Sequence, residues 1–127
     1  MVVIGVGNEF RRDDGAGPAV VASLRGRVPP GVELVLTDGE PARLIEAWTG
    51  AALAVVVDAV RADPPRPGRV HRFRLDRPLA GPHRPGRLVV HAIEAADLSQ
   101  GPGLTPLVAA AVGDVARAVL SEVRCQA

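Results

Sequence analysis

The stretch GVGNEFRRDDGAG, residues 5–17, decides how the chain begins to fold. Residues 2–6, which run into it, are a short β-branched apolar segment that fits a strand buried on both faces. After the glycines, a proline and spaced apolar residues predict a helix from about residue 15 to residue 24, because proline is tolerated in a first helical turn. A buried strand followed by a glycine turn and a helix is the beginning of a β–α–β unit.

The rest of the chain continues this alternation and then changes character. A second strand and a third, fully buried one enclose a second helix, whereas the fourth strand alternates polar and apolar residues as a half-exposed edge strand does. The later predicted elements are strands at 32–38, 52–60, 69–75 and 88–95, a helix at 41–48, and a final helix that Thr105 caps and Pro106 opens.

These elements predict an α/β fold, a three-layer α/β/α sandwich on a mixed five-stranded sheet of order 2-1-3-5-4. Strands that alternate with helices pair in parallel through right-handed crossovers. No helix separates the third strand from the fourth, so we expect the fourth strand to lie antiparallel at one edge. With 127 residues, the chain has room for one domain, 1–127.

Composition excludes several classes of function. The formal net charge is +1, so no polyanion-binding surface is indicated and we expect no nucleic-acid partner. The single cysteine, Cys125, cannot form an internal disulfide, and the sequence shows neither a signal peptide nor an apolar run long enough to span a bilayer. We therefore expect a soluble, cytoplasmic monomer that acts away from membranes.

The glycine loop is similar to a dinucleotide-binding motif but departs from it at two places. Gly5 and Gly7 fit the first two glycines of that motif, whereas Phe10 occupies the position of the third. A pyrophosphate needs the bare N–H groups and positive dipole of a helix N-terminus. Here Asp13 and Asp14 stand at that end and would repel phosphate, so we reject a nucleotide-binding function.

Acidic residues at a helix start are usually caps, and Asp13 and Asp14 fit that interpretation. Asp58 favours a second one, because it ends a run of buried residues and ionised carboxylates are seldom buried without a partner or a metal. If the first and third strands are neighbours, the loop after Gly7 and the end bearing Asp58 meet at the carboxyl edge of the sheet, where open α/β sheets bind ligands. The converging acids would suit either a divalent cation or acid/base chemistry.

Several segments, in order along nearly the whole chain, resemble the hydrogenase maturation proteases. The segments that carry the resemblance are GVGNEFRRDDGAG, DGEP, AVVVDAV and IEAADLSQGPGLTPLV. The resemblance implies an endopeptidase that removes the C-terminal extension of a nickel-loaded [NiFe] hydrogenase large-subunit precursor. That precursor would be the partner, and nickel would arrive with it, so that the protease need hold no permanent metal. The implied class is a carboxylate-dependent, aspartic-type hydrolase.

By position, the resemblance implies that Asp14 and Asp58 are the catalytic acids and engage the nickel. The family's third metal-recognition residue is a histidine between the fourth and fifth strands, where His83 is the positional candidate. This chain has only DRPLAGPHRPGR there, and the family's further helix is missing. The third ligand is therefore left open among His83, His71, His91 and Glu94, or is absent.

The resemblance also implies substrate-binding positions in the two glycine turns. These are Gly7, Asn8, Asp13, Asp38 and Gly39. Because the segment between the fourth and fifth strands is shortened, a second function stays open: a catalytically impaired module of the same fold that docks on the large subunit or senses nickel.

Overall fold

The computed structural model describes residues 1–76 and 83–125. Five strands and three α-helices follow one another in the predicted sequence, each within one or two residues of the predicted ends. In chain order they are β1 (Val2–Val6), α1 (Ala16–Leu24), β2 (Glu33–Thr37), α2 (Pro41–Trp48), β3 (Leu53–Val60), β4 (Val70–Leu75), β5 (Arg87–Glu94) and α3 (Pro106–Cys125).

The sheet has the predicted order β2-β1-β3-β5-β4. β1 pairs in parallel with β2 and β3, and β3 pairs in parallel with β5. β4 is antiparallel to β5 and forms one edge. Both the α/β class and the placement of the fourth strand are thus confirmed. The carboxyl ends of β1, β3 and β5 consequently lie along the same side of the sheet.

Helices cover both faces of the sheet, and the alternation of side chains along each strand divides the core in two. Val55 and Val57 of β3 pack with α1 and α3 on one face. Ala54 and Val56 pack on the other face, in a cluster that includes Trp48 of α2. Because successive strand residues point to opposite faces, Asp58 lies on the α2 side of the sheet.

The first helix begins later than predicted. A 3-10 turn, Arg12–Gly15, precedes α1, and Asp13 and Asp14 lie within this turn. Neither helical segment has a side-chain cap at its start, so the prediction that the two acids cap the helix is wrong. Arg12 has a left-handed backbone (φ 45°), a costly conformation for a residue with a side chain. A hydrogen bond from its N–H to the carbonyl oxygen of Gly101 (2.8 Å) accompanies this conformation.

β4 carries large apolar side chains that are exposed. Phe73 and Leu75 pair with Val90 and Leu88, which belong to the α2 side of the sheet. Both β4 side chains are exposed. In the described ranges no helix separates β4 from β5; residues 77–82 of the connection lie outside them. Among the described helices, none has the length and apolarity needed to cross a membrane.

Gly17 sets how closely α1 approaches the sheet. A Cβ at this position would lie 2.5 Å from the carbonyl oxygens of both Val6 and Val57. The start of α1 therefore rests directly on the ends of β1 and β3, and only glycine allows that contact. This close approach brings the Arg12–Gly15 turn over the carboxyl end of β3.

We expect Gly17→Ala to lower the free energy of unfolding by about 1–3 kcal/mol, because the added methyl group overlaps two backbone oxygens. Gly113→Ala is the matched control, since a Cβ there would meet only the Arg117 side chain at 3.7 Å. It should be neutral or stabilise by up to about 1 kcal/mol through helix propensity. Urea denaturation of both variants measures the difference; equal midpoints would contradict the role given to Gly17.

Candidate active site

Asp14 lies in the 3-10 turn at the carboxyl edge of the sheet. Its Oδ2 accepts a hydrogen bond from the backbone N–H of Asn8 (2.8 Å). Gly7 (φ 137°) carries the chain so close around Asp14 that a side chain on Gly7 would collide with the Asp14 backbone. The glycine turn after β1 therefore holds this carboxylate by wrapping around its residue.

Asp58 lies near the end of β3 and is only partly buried. Burial raises the pKa of its carboxyl group to about 6, with a further upward contribution from the negative charge of Asp14, while a hydrogen bond from the Ala59 backbone acts in the opposite direction. The two carboxyl groups are therefore close enough to interact electrostatically. This agrees with the prediction that the loop after Gly7 and the end of the third strand meet at the carboxyl edge of the sheet.

This pair of carboxyl groups can support two kinds of chemistry. A carboxyl group with a pKa near neutrality can accept a proton from water or from a bound substrate at cellular pH. The same oxygens can contribute to the coordination of a divalent cation.

Asp13 points away from the crevice and is fully buried. Its two oxygens accept hydrogen bonds from the backbone N–H groups of Ala96 (2.8 Å), Asp97 (2.9 Å) and Thr105 (2.8 Å), and from the Thr105 hydroxyl (2.8 and 3.0 Å). The predicted substrate contact of Asp13 is therefore wrong, because both oxygens are already bonded and neither reaches solvent. Its function is to join the turn before α1 to the segment between β5 and α3.

His83 does not join the two acids. It is exposed in a turn four residues before β5 begins at Arg87. Arg87 pairs with Leu53, the first residue of β3, and Asp58 lies five residues further, about 16 Å along the strand. Within residues 1–76 and 83–125, no group of three or more His, Cys, Asp or Glu side chains could hold a metal ion. The predicted ligand set of Asp14, Asp58 and His83 is therefore not assembled.

The other two histidines each bond a glutamate. His71 Nε2 lies 2.7 Å from Glu94 Oε2, and hydrogen bonds from the Arg66 backbone and from His71 hold the pKa of Glu94 below its ordinary value despite burial. His91 is a buried core residue whose Nε2 lies 3.0 Å from Glu122 Oε1. His91 belongs to the α3 side of the sheet, away from Asp58.

The other predicted residues lie in the two turns that follow β1 and β2. Asn8 Oδ1 accepts a hydrogen bond from the Phe10 backbone (2.9 Å), so Asn8 supports the turn. Asp38 is exposed; its oxygens accept hydrogen bonds from the Glu40 backbone and the Arg43 guanidinium (both 3.1 Å). Gly39 supplies a left-handed turn (φ 90°) directly after β2. The predicted substrate contacts of Gly7, Asn8, Asp38 and Gly39 stay predictions.

Sequence reasoning missed two features of the site. Thr105 was predicted only as a helix cap, yet it donates twice to Asp13. A groove beside the glycine loop, with Phe10 and Leu36 in its wall, was also missed. Leu36 belongs to the apolar middle of β2, so only the exposure of its side chain distinguishes it. Phe10, an aromatic residue between two charged ones, was the available signal.

We expect Asp13→Asn to lower the free energy of unfolding by about 3 kcal/mol, because the amide group would face backbone N–H donors that need an acceptor. Asp14→Asn is the control: its amide oxygen can still accept from Asn8, so the change should stay within about 1 kcal/mol. Chemical denaturation measures both. Similar losses in the two variants would contradict the structural role of Asp13.

The pH dependence of the Asp13 contribution is part of the same experiment. Burial raises its pKa, but hydrogen bonds from Thr105, Asp97 and Ala96 outweigh this and leave the pKa below the ordinary value of 3.8. A lowered native pKa stabilises the fold above the unfolded pKa, and the contribution is lost as pH falls through the native value. The difference between parent and Asp13→Asn should therefore shrink in acid.

We expect Asp58→Asn to stabilise the fold above pH 6. The pKa of Asp58 in the folded state is raised to about 6, so ionisation of Asp58 destabilises the folded state. This destabilisation is absent at pH values below the pKa of the unfolded state and complete at pH values above the pKa of the folded state. Relative to the parent, the variant should be equally stable near pH 4 and about 1 kcal/mol more stable near pH 7.5, a value reduced for partial solvent exposure. Thermal unfolding across this range measures it. The exposed control Asp114→Asn should show no such rise, and a flat difference for Asp58→Asn would contradict the raised pKa.

Comparison with known proteins identifies the fold. No family model and no curated protein sequence matches the chain, whereas several solved structures do. The hydrogenase maturating endopeptidase HybD from E. coli has a TM-score of 0.84 and 22% identity over 98% of this chain and 92% of its own. The hydrogenase 2 maturation peptidase from Thaumarchaeota archaeon SCGC_AB-539-E09 has a TM-score of 0.79 and 22% identity over 96% of each chain.

A third structure gives the same result. The [NiFe] hydrogenase maturation protease HybD from Thermococcus kodakarensis has a TM-score of 0.78 and 21% identity over 96% of this chain and 97% of its own. At these identities the likeness is one of fold, and it extends over almost the whole length of each protein. The resemblance in the sequence motifs and the strand topology agree with it: the chain has the fold of the hydrogenase maturation peptidases.

Proposed function

We propose that the chain is an endopeptidase that removes the C-terminal extension of a nickel-loaded [NiFe] hydrogenase large-subunit precursor. The observation that carries the proposal is the pair Asp14 and Asp58, which the fold brings together at the carboxyl edge of the sheet. The fold itself is that of proteins named hydrogenase maturation peptidases. The proposed partner is the precursor, and the proposed site of action is the cytoplasm.

The two acids would have different roles in peptide hydrolysis. Asp58 has a pKa near 6, so near neutral pH it is ionised and still basic enough to take a proton from an attacking water. Asp14, fixed by the Asn8 N–H, would orient that water or the scissile amide. The partial burial of Asp58 supports this assignment, because it is burial that makes the carboxylate a stronger base.

Nickel would belong to the substrate. In this proposal the precursor supplies the metal with most of its ligands, and the carboxylates of Asp14 and Asp58 complete the recognition. Carboxylate oxygens are suitable ligands for a divalent first-row metal. The precursor would thus be recognised by its metal as well as by its peptide.

One observation favours the second candidate function, a binding module of the same fold. His83 lies at the opposite end of β5 from Asp58, so the histidine that the resemblance implies does not reach the acids. In this second function, a protein with two of three recognition residues would retain docking and lose cleavage. The test of the first function therefore has to measure binding as well as cleavage.

The test mixes the protein with nickel-loaded large-subunit precursor from the same organism and follows loss of the C-terminal extension by mass spectrometry. We expect the parent to cleave, and Asp58→Asn and Asp14→Asn each to reduce the rate by at least about 100-fold, the scale of general acid–base catalysis. Asp114→Asn, far along α3, is the control and should cleave like the parent.

The alternative outcomes separate the two functions. Stable binding of the precursor without cleavage would establish the binding module. Cleavage that survives Asp58→Asn would contradict the role given to this carboxylate. Precursor that is neither bound nor cut would overturn both functions.

A further inference from the structure

A groove of about 300 Å³ lies beside the glycine loop, on the β2 side of the end of β1. Phe10, Pro18 and Leu36 supply its apolar wall, and Glu9 and Asp38 stand among its polar residues. Phe10 is 62% and Leu36 54% exposed. Two large apolar side chains therefore remain exposed beside one groove, and their burial by a ligand would lower the free energy of the complex.

The exposed position of Phe10 is fixed by its backbone. The Phe10 N–H donates to Asn8 Oδ1 (2.9 Å), and the Phe10 carbonyl accepts a hydrogen bond from the Gly101 N–H (2.8 Å). These two hydrogen bonds hold the backbone that carries the exposed aromatic ring. A preformed apolar surface costs little conformational entropy when a ligand covers it.

The groove is continuous with the acid pair. Asn8, in the groove wall, donates its N–H to Asp14 Oδ2 at 2.8 Å. Gly7 lines the groove and also wraps Asp14, and its N–H donates to Thr37 of β2. Gly7 and Asn8 therefore contact both the groove and Asp14, and their backbone lies between the two.

The spacing of the strands gives the distance in peptide units. The groove lies at the end of β2 and Asp58 at the end of β3, with β1 between them. Two interstrand spacings amount to about 10 Å. An extended peptide advances about 3.3 Å per residue, so about three residues would span this distance.

We propose that this groove is a specificity subsite that binds one apolar side chain of the substrate peptide, within about three residues of the scissile bond. The inference rests on the proposed endopeptidase function. Phe10 and Leu36 cover the apolar side chain, while Glu9 and Asp38 disfavour an acidic one by charge repulsion. Nickel-based recognition would select a loaded precursor, and the groove would select and align its peptide.

The test compares Phe10→Ala and Leu36→Ala with Phe73→Ala. Phe73 is the second of the two phenylalanines, is 54% exposed and lies at the opposite edge of the sheet, so it is a matched control. With nickel-loaded precursor we expect each groove variant to raise KM about tenfold with little change in kcat, and Phe73→Ala to change neither. Unchanged melting temperatures would show that the groove variants fold.

The precursor provides a second arm. Each apolar residue within three positions of the scissile bond is replaced in turn by Ser and by Asp. At one position we expect the Ser substitution to cause about a tenfold loss with the parent protein and little loss with Phe10→Ala, because the groove is already impaired. The Asp substitution should cause a larger loss than Ser with both proteins, because Glu9 and Asp38 are unchanged. Equal losses for Ser with the parent and Phe10→Ala at every position would overturn the subsite.

Binding of the nickel-loaded precursor, measured alongside cleavage for the parent, Phe10→Ala and Phe73→Ala, separates this inference from the proposed function. If the parent cleaves and Phe10→Ala behaves like Phe73→Ala, the endopeptidase stands and the groove is overturned. If the parent binds without cleaving and Phe10→Ala weakens binding tenfold, the endopeptidase fails and the groove stands as a binding site. A precursor that does not bind at all would overturn both.

Discussion

The buried carboxylate of Asp13 is the interaction on which the site depends. Its two oxygens accept hydrogen bonds from three backbone N–H groups and one hydroxyl. These donors come from the end of β5 and the start of α3, whereas Asp13 itself precedes α1. A buried charge is costly unless it is fully hydrogen-bonded. Because all of these bonds must form together, Asp13 fixes the position of its turn relative to the sheet.

The hydrogen bonds of Asp13 also fix the position of Asp14, the next residue in the same turn. Asp14 follows Asp13 in the same four-residue 3-10 turn, so its side chain projects in a different direction and stays at the carboxyl edge of the sheet. Gly7 and Gly17 then allow the chain to close around it without side-chain overlap. Two adjacent aspartates with the same chemistry therefore have different functions, since one is buried among donors and the other is left at the carboxyl edge.

The ionised form of Asp58 is destabilised in the folded protein, and this makes its carboxylate a stronger base. A carboxylate at the end of an apolar strand loses hydration, and the charge of Asp14 adds repulsion. The fold tolerates this cost because its apolar core lies on both faces of the same strand. The two ends of the sheet differ accordingly: the carboxyl end holds the acids and the groove, and the shortened β4–β5 connection leads into the other end.

Local patterns in the sequence determined most of the architecture. Apolar runs, glycine turns and helix starts predicted every strand and α-helix, and the lack of a helix after the third strand predicted the antiparallel edge. They also placed Asp14 and Asp58 at one end of the sheet, because parallel strands share their carboxyl side. These features follow from the periodicity of apolar residues and from the lengths of the connections, and both can be read from residues that are close together in the sequence.

Tertiary structure alone decided the roles of individual side chains. No local pattern shows that Asp13 is buried and Asp14 is not; the distant donors at Ala96, Asp97 and Thr105 decide this. His83 is close to β5 along the chain, yet the parallel pairing of β3 and β5 puts it at the end away from Asp58. The groove of Phe10 and Leu36 joins residues from two elements. Such contacts depend on which segments meet in space, so no local pattern can specify them.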